Sequence, residues 1–470
     1  MNGAPQSDVI VVGAGVAGLS AAAALAESGA KVTLLERRPY IGGRAYSYDH
    51  PAIEETIDSQ HVVLGCCTNI LDLCRRAGMT DSIRWYDELV FLQPGGRRSL
   101  LRPGKLPAPA HQAMSFLRAP MLSPLDKAGI AAGMARFLRG YPQDDNESFA
   151  AWLKRTRQTE RAIRHFWEPV VVGALNDVFE RCSVKYAGKI FHESFLRSPE
   201  AVRFGIPAAP LSEFFAPVAE FAQKLGVTLK TRAGVERIEQ TTDKRWSVQA
   251  GGEMYSAANL VLATDFRQTK LLLDSLPQTA SGELPLAGYD RFTPSPITTI
   301  HLWYDRDVTG LDHAVLLDTR IQWMFAKSRI RRWPKERGSY IELVISASWP
   351  ELEMEREEIM TSALREIVLF FPAVKEATLL KSAVLKEARA TFSVVPGLDH
   401  FRPKQATRWQ GLYLAGDWTA TDWPSTMEGA VRSGRLAAGA LVGNADRFMA
   451  PESPATGLMQ WLASATKTAR

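Results

Sequence analysis

Asp8-Val9-Ile10-Val11-Val12, followed at once by Gly13-Ala14-Gly15-Val16-Ala17-Gly18, is the stretch that decides the fold. A β-branched apolar run of this kind suits a strand buried on both faces. The alanine-rich segment Leu19 to Ser28 favours a helix, Gly29 stops it, and Lys31-Val32-Thr33-Leu34-Leu35 reads as a second strand ending at Glu36. Strand, glycine loop, helix, strand and terminal acid together form the context that a dinucleotide fingerprint requires. Gly13 permits the tight turn, Gly15 lets backbone approach a pyrophosphate, and Gly18 lets helix and strand pack closely. Val16 and Ala17 open the helix, whose N-terminus offers free N–H groups and a partial positive charge to phosphates. Glu36 is placed to accept hydrogen bonds from ribose hydroxyls, and its charge opposes the 2′-phosphate of NADP.

Outward from this loop, the chain of 470 residues is long enough for two or three domains. A hydrophobic fraction of 46% with 23% charged residues excludes a disordered or collagen-like chain. The net charge of +5 is too dilute for a nucleic-acid-binding stripe. Cys66, Cys67, Cys74 and Cys182 form no CxxC pair, so neither a zinc site nor a disulfide scaffold is indicated, no metal is expected, and a reducing cytoplasm fits best. No apolar run is clean enough to span a bilayer, and Val9 to Ala26, with its spaced glycines and no basic region before it, reads as folded core and not as a targeting segment.

Arg37-Arg38-Pro39-Tyr40-Ile41-Gly42-Gly43-Arg44 resembles the extended GGR motif of the flavin amine oxidase and phytoene desaturase superfamily. The resemblance implies non-covalent FAD, with Arg37, Gly43 and Arg44 along the cofactor. It also implies an α/β fold, in which a Rossmann-like FAD-binding domain of the flavin amine oxidase type is interleaved with an α+β substrate domain. The expected FAD-binding parts are 1–105, 205–284 and 401–446. The substrate parts are 106–204, largely helical, and 285–400, and residues 447–470 read as a loosely attached tail. The block from Leu211 to Thr264 alternates helix and strand signals, and the resemblance puts Val235 and Thr264 beside the cofactor. Leu412-Tyr413-Leu414-Ala415-Gly416-Asp417 is a strand ending in Gly-Asp, and Met427-Glu428-Gly429-Ala430-Val431 starts a helix running to about Val442. Asp417 is expected to accept from the ribityl chain or cap nearby amides. The helix start at Met427, Glu428 and Ala430 is expected to direct its N–H groups at the flavin.

Three further segments resemble bacterial hydroxysqualene dehydroxylases, squalene-associated flavoenzymes of hopanoid synthesis. They are Asp58-Ser59-Gln60-His61-Val62-Val63-Leu64-Gly65-Cys66-Cys67, Phe166-Trp167-Glu168-Pro169 with Ala174-Leu175-Asn176, and Gly416-Asp417-Trp418 through Ala430. The resemblance covers residues 8–443 and departs from the family at Ser59, where glycine is usual. Amine oxidases of the superfamily hold the amine between two aromatic rings; the matching positions here are Ala390 and Thr426, which cannot make that cage. Arg389 stands where a covalent flavin link would need cysteine. The family resemblance therefore implies that reduced FAD removes the hydroxyl of hydroxysqualene to give squalene. The alternatives are a carotenoid-type desaturase, an amine oxidase and, from another class, a non-catalytic isoprenoid-carrying flavoprotein.

Breaking a C–O bond requires a proton for the leaving oxygen and a pocket free of nucleophilic water. His61, Glu168, Asp177 and Asp422 are the candidate acids, with a structural histidine and an ordinary salt bridge as competing readings of the first two. Phe166, Trp167, Phe191, Phe195, Trp418 and Trp423 are candidate π-faced walls, with Asn176 beside them, although plain core packing serves for any single ring. Residues 111–140 interleave Met114, Phe116, Leu117, Met121, Leu122, Leu125, Ile130, Met134, Phe137 and Leu138 with Arg118, Lys127, Arg136 and Arg139 against the single acid Asp126. Pro120 and Pro124 prevent one spanning helix, so this segment reads either as a monotopic surface on the inner face of the membrane or as an amphipathic lid. The reductant is not indicated.

Overall fold

The computed structural model describes residues 6–276 and 288–462. Gln6–Val12 lies at the centre of a seven-stranded sheet, parallel to Val32–Leu35 on one side and to Glu253–Leu262 on the other. Thr228–Lys230 extends the first side, the antiparallel hairpin of Val235–Gln240 and Trp246–Ala250 extends the second, and Leu412–Leu414 joins Glu253–Leu262 in parallel. The helix Val16–Glu27 packs on this sheet beside Met427–Leu441 and Leu211–Lys224. The two long helices approach closely, since a Cβ on Gly434 would stand 2.2 Å from Ala17 O. The alanine run between residues 21 and 26 is buried throughout, as a helix held between a sheet and other helices requires.

A second seven-stranded sheet runs Leu379–Phe392, Pro294–Tyr304, Ser339–Ser346, Trp323–Ala326, His313–Leu316, Leu89–Gln93, Arg97–Leu101. Its last two strands correct the expected boundary at residue 105. Leu89–Gln93 pairs in parallel with His313–Leu316, so the first excursion from the cofactor-binding sheet begins before residue 89. A small sheet of Val63–Leu64, Phe204–Pro207 and Ile83–Tyr86 links the two large ones.

Residues 111–140 fold as two short helices, Ala113–Arg118 and Pro124–Ala135, the latter capped reciprocally by Ser123 and Asp126. Phe137, Met121, Leu122 and Ile130 are core residues, and Phe116, Met134 and Leu138 pack against that core, so of the segment's apolar side chains most face inward. Leu117 and Leu125 are the exposed side chains, at 60% and 71%. The C-terminal segment is also docked and not loose. Arg197 binds Ser453 O and Glu452, Leu458 N–H donates to Ala108 O at 3.0 Å, and Met459 enters the core. Residues 463–470 of the expected tail lie outside the described residues. No helix among the described residues is long and apolar enough to cross a membrane.

Candidate functional site

Both long-helix N-termini open onto one cavity of about 1080 Å³, larger than most single-ligand pockets. Gly13 takes a left-handed backbone, φ 101°, that turns the strand into the helix. A Cβ on Gly18 would lie 1.8 Å from Gly13 O, so only glycine fits there; Gly18 itself stays behind the cavity wall, a scaffold for the loop. Gly13, Gly15, Val16 and Ala17 line the cavity, and Gly15 caps the helix without any side-chain acceptor, leaving its first N–H groups open to a phosphate. Gly43 crosses Gly15 so closely that a Cβ on it would meet Gly15 Cα at 3.0 Å, and Gly42 N–H donates to Ala14 O at 2.9 Å. Glu36 is buried at the loop's edge, one carboxylate oxygen accepting from Ala14 N–H at 2.7 Å and the other from Arg38 N–H at 2.9 Å. Those bonds fix the carboxylate while leaving it lone pairs for two hydroxyls. Arg37 and Val235 border the same end, as does Thr264, whose carbonyl accepts from Trp418 Nε1 at 3.0 Å.

Asp417 is held by two side chains. It neither caps amides nor stands free, because Arg44 Nη2 donates to Oδ1 at 2.5 Å and Ser425 Oγ to Oδ2 at 2.5 Å. Burial alone would raise its pKa, but the Arg44 guanidinium and Ser425 outweigh burial and hold the carboxyl below its ordinary value. Gly416, Asp417, Met427, Glu428 and Ala430 all reach the cavity. Thr426 Oγ1 caps the helix start at Gly429 N–H, 3.0 Å. Glu428 turns out to serve another helix: its carboxylate accepts from Asn69 N–H, Asn69 Nδ2 and Ile70 N–H at 2.9–3.2 Å, where the helix Thr68–Arg76 begins. The loop, open amides and pre-set acid all fit a flavin dinucleotide.

The expected aromatic wall is only partly where the sequence suggested. Phe195, Trp418, Trp423 and Asn176 line the cavity. Phe166, Trp167 and Phe191 do not; they form an edge-to-face core, with Trp167 and Phe191 centroids 4.8 Å apart, and plain packing accounts for them. In their place stands a set of nearly parallel rings, Phe204, Trp323 and Phe325, with successive centroids 5.6 and 5.7 Å apart. Trp323 and Phe325 are two apart on one strand and so share a face, a signal legible in the sequence. Ala390 and Thr426 both border the cavity.

Of the four expected acids, the cavity takes only His61. Its Nδ1–H donates to Ser59 O at 2.9 Å, and burial pushes its pKa down, which favours the neutral ring. Glu168 does carry the pKa raised by burial, but it lies off the cavity wall. Asp177 is buried against Arg181 at 2.9 Å. Asp422 lies behind the wall, ion-paired to Lys185 and Lys189 at 3.1 Å each, which hold its carboxyl below the ordinary value against the effect of burial. Two lysines went unread. Lys189 lines the cavity, and Lys327 sits beneath its floor, 2.8 Å from Asp58, 2.9 Å from Glu342 and 2.8 Å from Gln60 Oε1.

Comparison with known proteins agrees with this geometry. Residues 16–442 match the model of the family described as flavin containing amine oxidoreductase. The 15-cis-phytoene desaturase of an Oncidium hybrid cultivar is 26% identical over 94% of this chain and 79% of its own length. The zeta-carotene desaturase of Synechocystis sp. is 27% identical over 94% and 98%. Among solved structures, a variant of putrescine oxidase superposes with a TM-score of 0.71 at 16% identity, over 93% of this chain and 99% of that one. Cyclohexylamine oxidase from Brevibacterium oxydans IH-35A does so with 0.64 at 19%, over 93% and 99%. With a family match over most of its length and a loop built for a flavin dinucleotide, the chain belongs to the flavin containing amine oxidoreductase family, and it is an oxidoreductase whose cofactor is FAD.

Proposed function

We propose that the enzyme works on a long, apolar, linear isoprenoid, and that its reaction is the reductive removal of the hydroxyl of hydroxysqualene to give squalene and water. The observation that carries this reading is the cavity lining, where Ala390 and Thr426 replace a pair of cage-forming rings and Phe195, Trp423 and the rings of Phe204, Trp323 and Phe325 line the same cavity. Small residues there leave room for a chain, and stacked rings give it an apolar bed. Carotenoid-type desaturation is the second reading, favoured by the names of the phytoene and zeta-carotene desaturases among the relatives.

When bound, FAD supplies two-electron hydride chemistry. The chain's residues do the rest. Glu36, the glycine loop and the Arg44–Asp417 pair hold the dinucleotide. The apolar walls exclude water, so that the substrate carbon receives hydride and not hydroxide. Overall, the alcohol takes up one hydride and one proton, its C–O bond breaks, and the oxygen leaves as water. We also propose that the exposed Leu106, Met114, Leu117 and Leu125, together with Leu458 and Trp461 of the docked C-terminal segment, rest on a lipid surface from which such a substrate is drawn.

The two readings run electrons in opposite directions, and one pair of anaerobic single-turnover experiments separates them. Reduced protein mixed with hydroxysqualene should yield squalene as the flavin re-oxidises. Oxidised protein mixed with phytoene should stay oxidised. The reverse pattern would establish desaturation, and no flavin change with either substrate would remove both readings.

A further inference from the structure

The cavity wall contributed by Glu168–Leu175, Val184–Ile190 and the wide helical turn Phe191–Leu196 is apolar at Pro169, Val170, Ile190 and Phe195. One ammonium interrupts it. Lys189 keeps a side-chain exposure of 8%, donates to Tyr141 Oη at 2.8 Å and to Asp422 Oδ2 at 3.1 Å, and has its Nζ 4.9 Å from the Trp423 ring centroid. Glu193, the acid of the same wall, is already matched by Arg197 at 2.6 Å. Burial would drive a lysine toward the neutral form, but Asp422 and Tyr141 outweigh it, raising the Lys189 pKa and keeping the charge. An ammonium has three N–H donors, and Tyr141 and Asp422 take two. A cavity meant for bare hydrocarbon gains nothing from a desolvated donor in its wall.

We propose that Lys189 is the donor that recognises an oxygen on an otherwise apolar ligand, so that the cavity selects an isoprenoid alcohol over the corresponding hydrocarbon. The inference rests on the isoprenoid reading above. An alcohol oxygen completes the ammonium's hydrogen bonding. A hydrocarbon of the same length displaces water from that N–H and returns nothing, which is the situation in which polar sites discriminate most strongly. Trp423 covers one face of the charge, and Asp422, its counter-ion, lies behind the wall at 45% side-chain exposure.

The test is equilibrium binding, not turnover. Oxidised, FAD-loaded protein is titrated with hydroxysqualene and with squalene in the same detergent, with tryptophan fluorescence and flavin absorbance as readouts. The wild type is expected to bind the alcohol about ten- to a hundredfold more tightly, the scale of a hydrogen bond to a charged donor. Lys189→Met should bring that ratio close to one while squalene affinity holds or improves, and Lys189→Arg should retain a preference. Equal binding of the two ligands by the wild type, or a Lys189→Met variant that keeps the full preference, overturns the role of Lys189 and leaves the isoprenoid reading standing. Binding of neither ligand overturns both. If Lys189→Met does not fold, the wild-type ratio and Lys189→Arg still decide.

Discussion

Replacing Lys327 by Met is the perturbation that best tests how the floor of the cavity is held. Lys327, Asp58 and Glu342 are at most 2% exposed, and one ammonium answers both carboxylates. Asp58 has other support, from Arg331 at 3.0 Å and Leu211 N–H at 3.0 Å. Among the described residues Glu342 has none of that kind: its hydrogen bond is from Gln60 N–H at 2.7 Å, and Lys327 meets its other oxygen as an ion pair. Lys327→Met therefore strands Glu342, and removing one partner from a buried pair costs about 3–5 kcal/mol. For a chain of this length that lowers the melting temperature by several degrees, at roughly 2 °C or less per kcal/mol. The pH dependence carries the signature. Burial already raises the Glu342 pKa, and losing Lys327 raises it further. A carboxyl that protonates in the fold more readily than in the unfolded chain makes stability rise as pH falls through the folded value. The deficit of the variant should thus shrink from pH 8 toward pH 5. Lys327→Met/Glu342→Gln should recover most of the loss at neutral pH. Wild-type Asp58 runs the other way: its pKa, lowered to about 2 chiefly by Lys327 and Arg331 against burial, contributes about 2 kcal/mol that is present above the ordinary carboxyl value and lost as pH falls toward 2. Thermal and urea unfolding across that pH range are the assays. A deficit under about 1 kcal/mol, one flat with pH, or a double variant no better than the single would refute the reasoning.

Gly18→Ala should abolish flavin retention, since the new methyl would stand 1.8 Å from a backbone oxygen that itself shapes the loop; the flavin-to-protein absorbance ratio after purification reads this, and a normal ratio would contradict it. Ala390→Phe or Thr426→Tyr should keep FAD and lose isoprenoid turnover by about tenfold or more, because each ring intrudes on the opening beside Met427, with steady-state product formation as the measurement. Leu117→Glu/Leu125→Glu should reduce co-sedimentation with anionic liposomes while leaving the melting temperature unchanged, since both side chains face solvent; equal pelleting would remove these residues from any lipid contact.

The cofactor half was readable because its chemistry is local. Loop, helix start and terminal acid lie within Gly13 to Glu36, and their geometry is dictated by glycine sterics and a strand's end. The boundary at residue 105 failed for the opposite reason. Leu89–Gln93 finds its parallel partner at His313–Leu316, and nothing in the local pattern says which sheet a strand will join. Aromatic residues show the same division. Phe166, Trp167 and Phe191 carry the composition of a binding wall, yet helix packing turns them into core, while Phe204 reaches the cavity only because a two-residue strand, Val63–Leu64, and Ile83–Tyr86 hold it there.

Charge was the least readable property, and it decides the chemistry. Lysine is ordinarily a surface residue, so neither Lys189 nor Lys327 stands out in a chain with 56 basic residues. Each becomes informative through its acids, Asp422 for the first and Asp58 with Glu342 for the second, which are separated from it by between 15 and 269 positions. The same charges surround the acids chosen from the sequence as proton donors. Asp422 stays ionised because it answers two ammonium groups, and an ionised carboxylate cannot protonate a leaving oxygen. Burial lowers the His61 pKa above a floor where Lys327 and Arg331 face Asp58 and Glu342. Besides His61 and Lys189, the cavity is lined by Arg267, Lys386, Glu387 and Arg389, so its charge is spread along the walls and only the stretch around Lys189 sets a single donor among apolar groups.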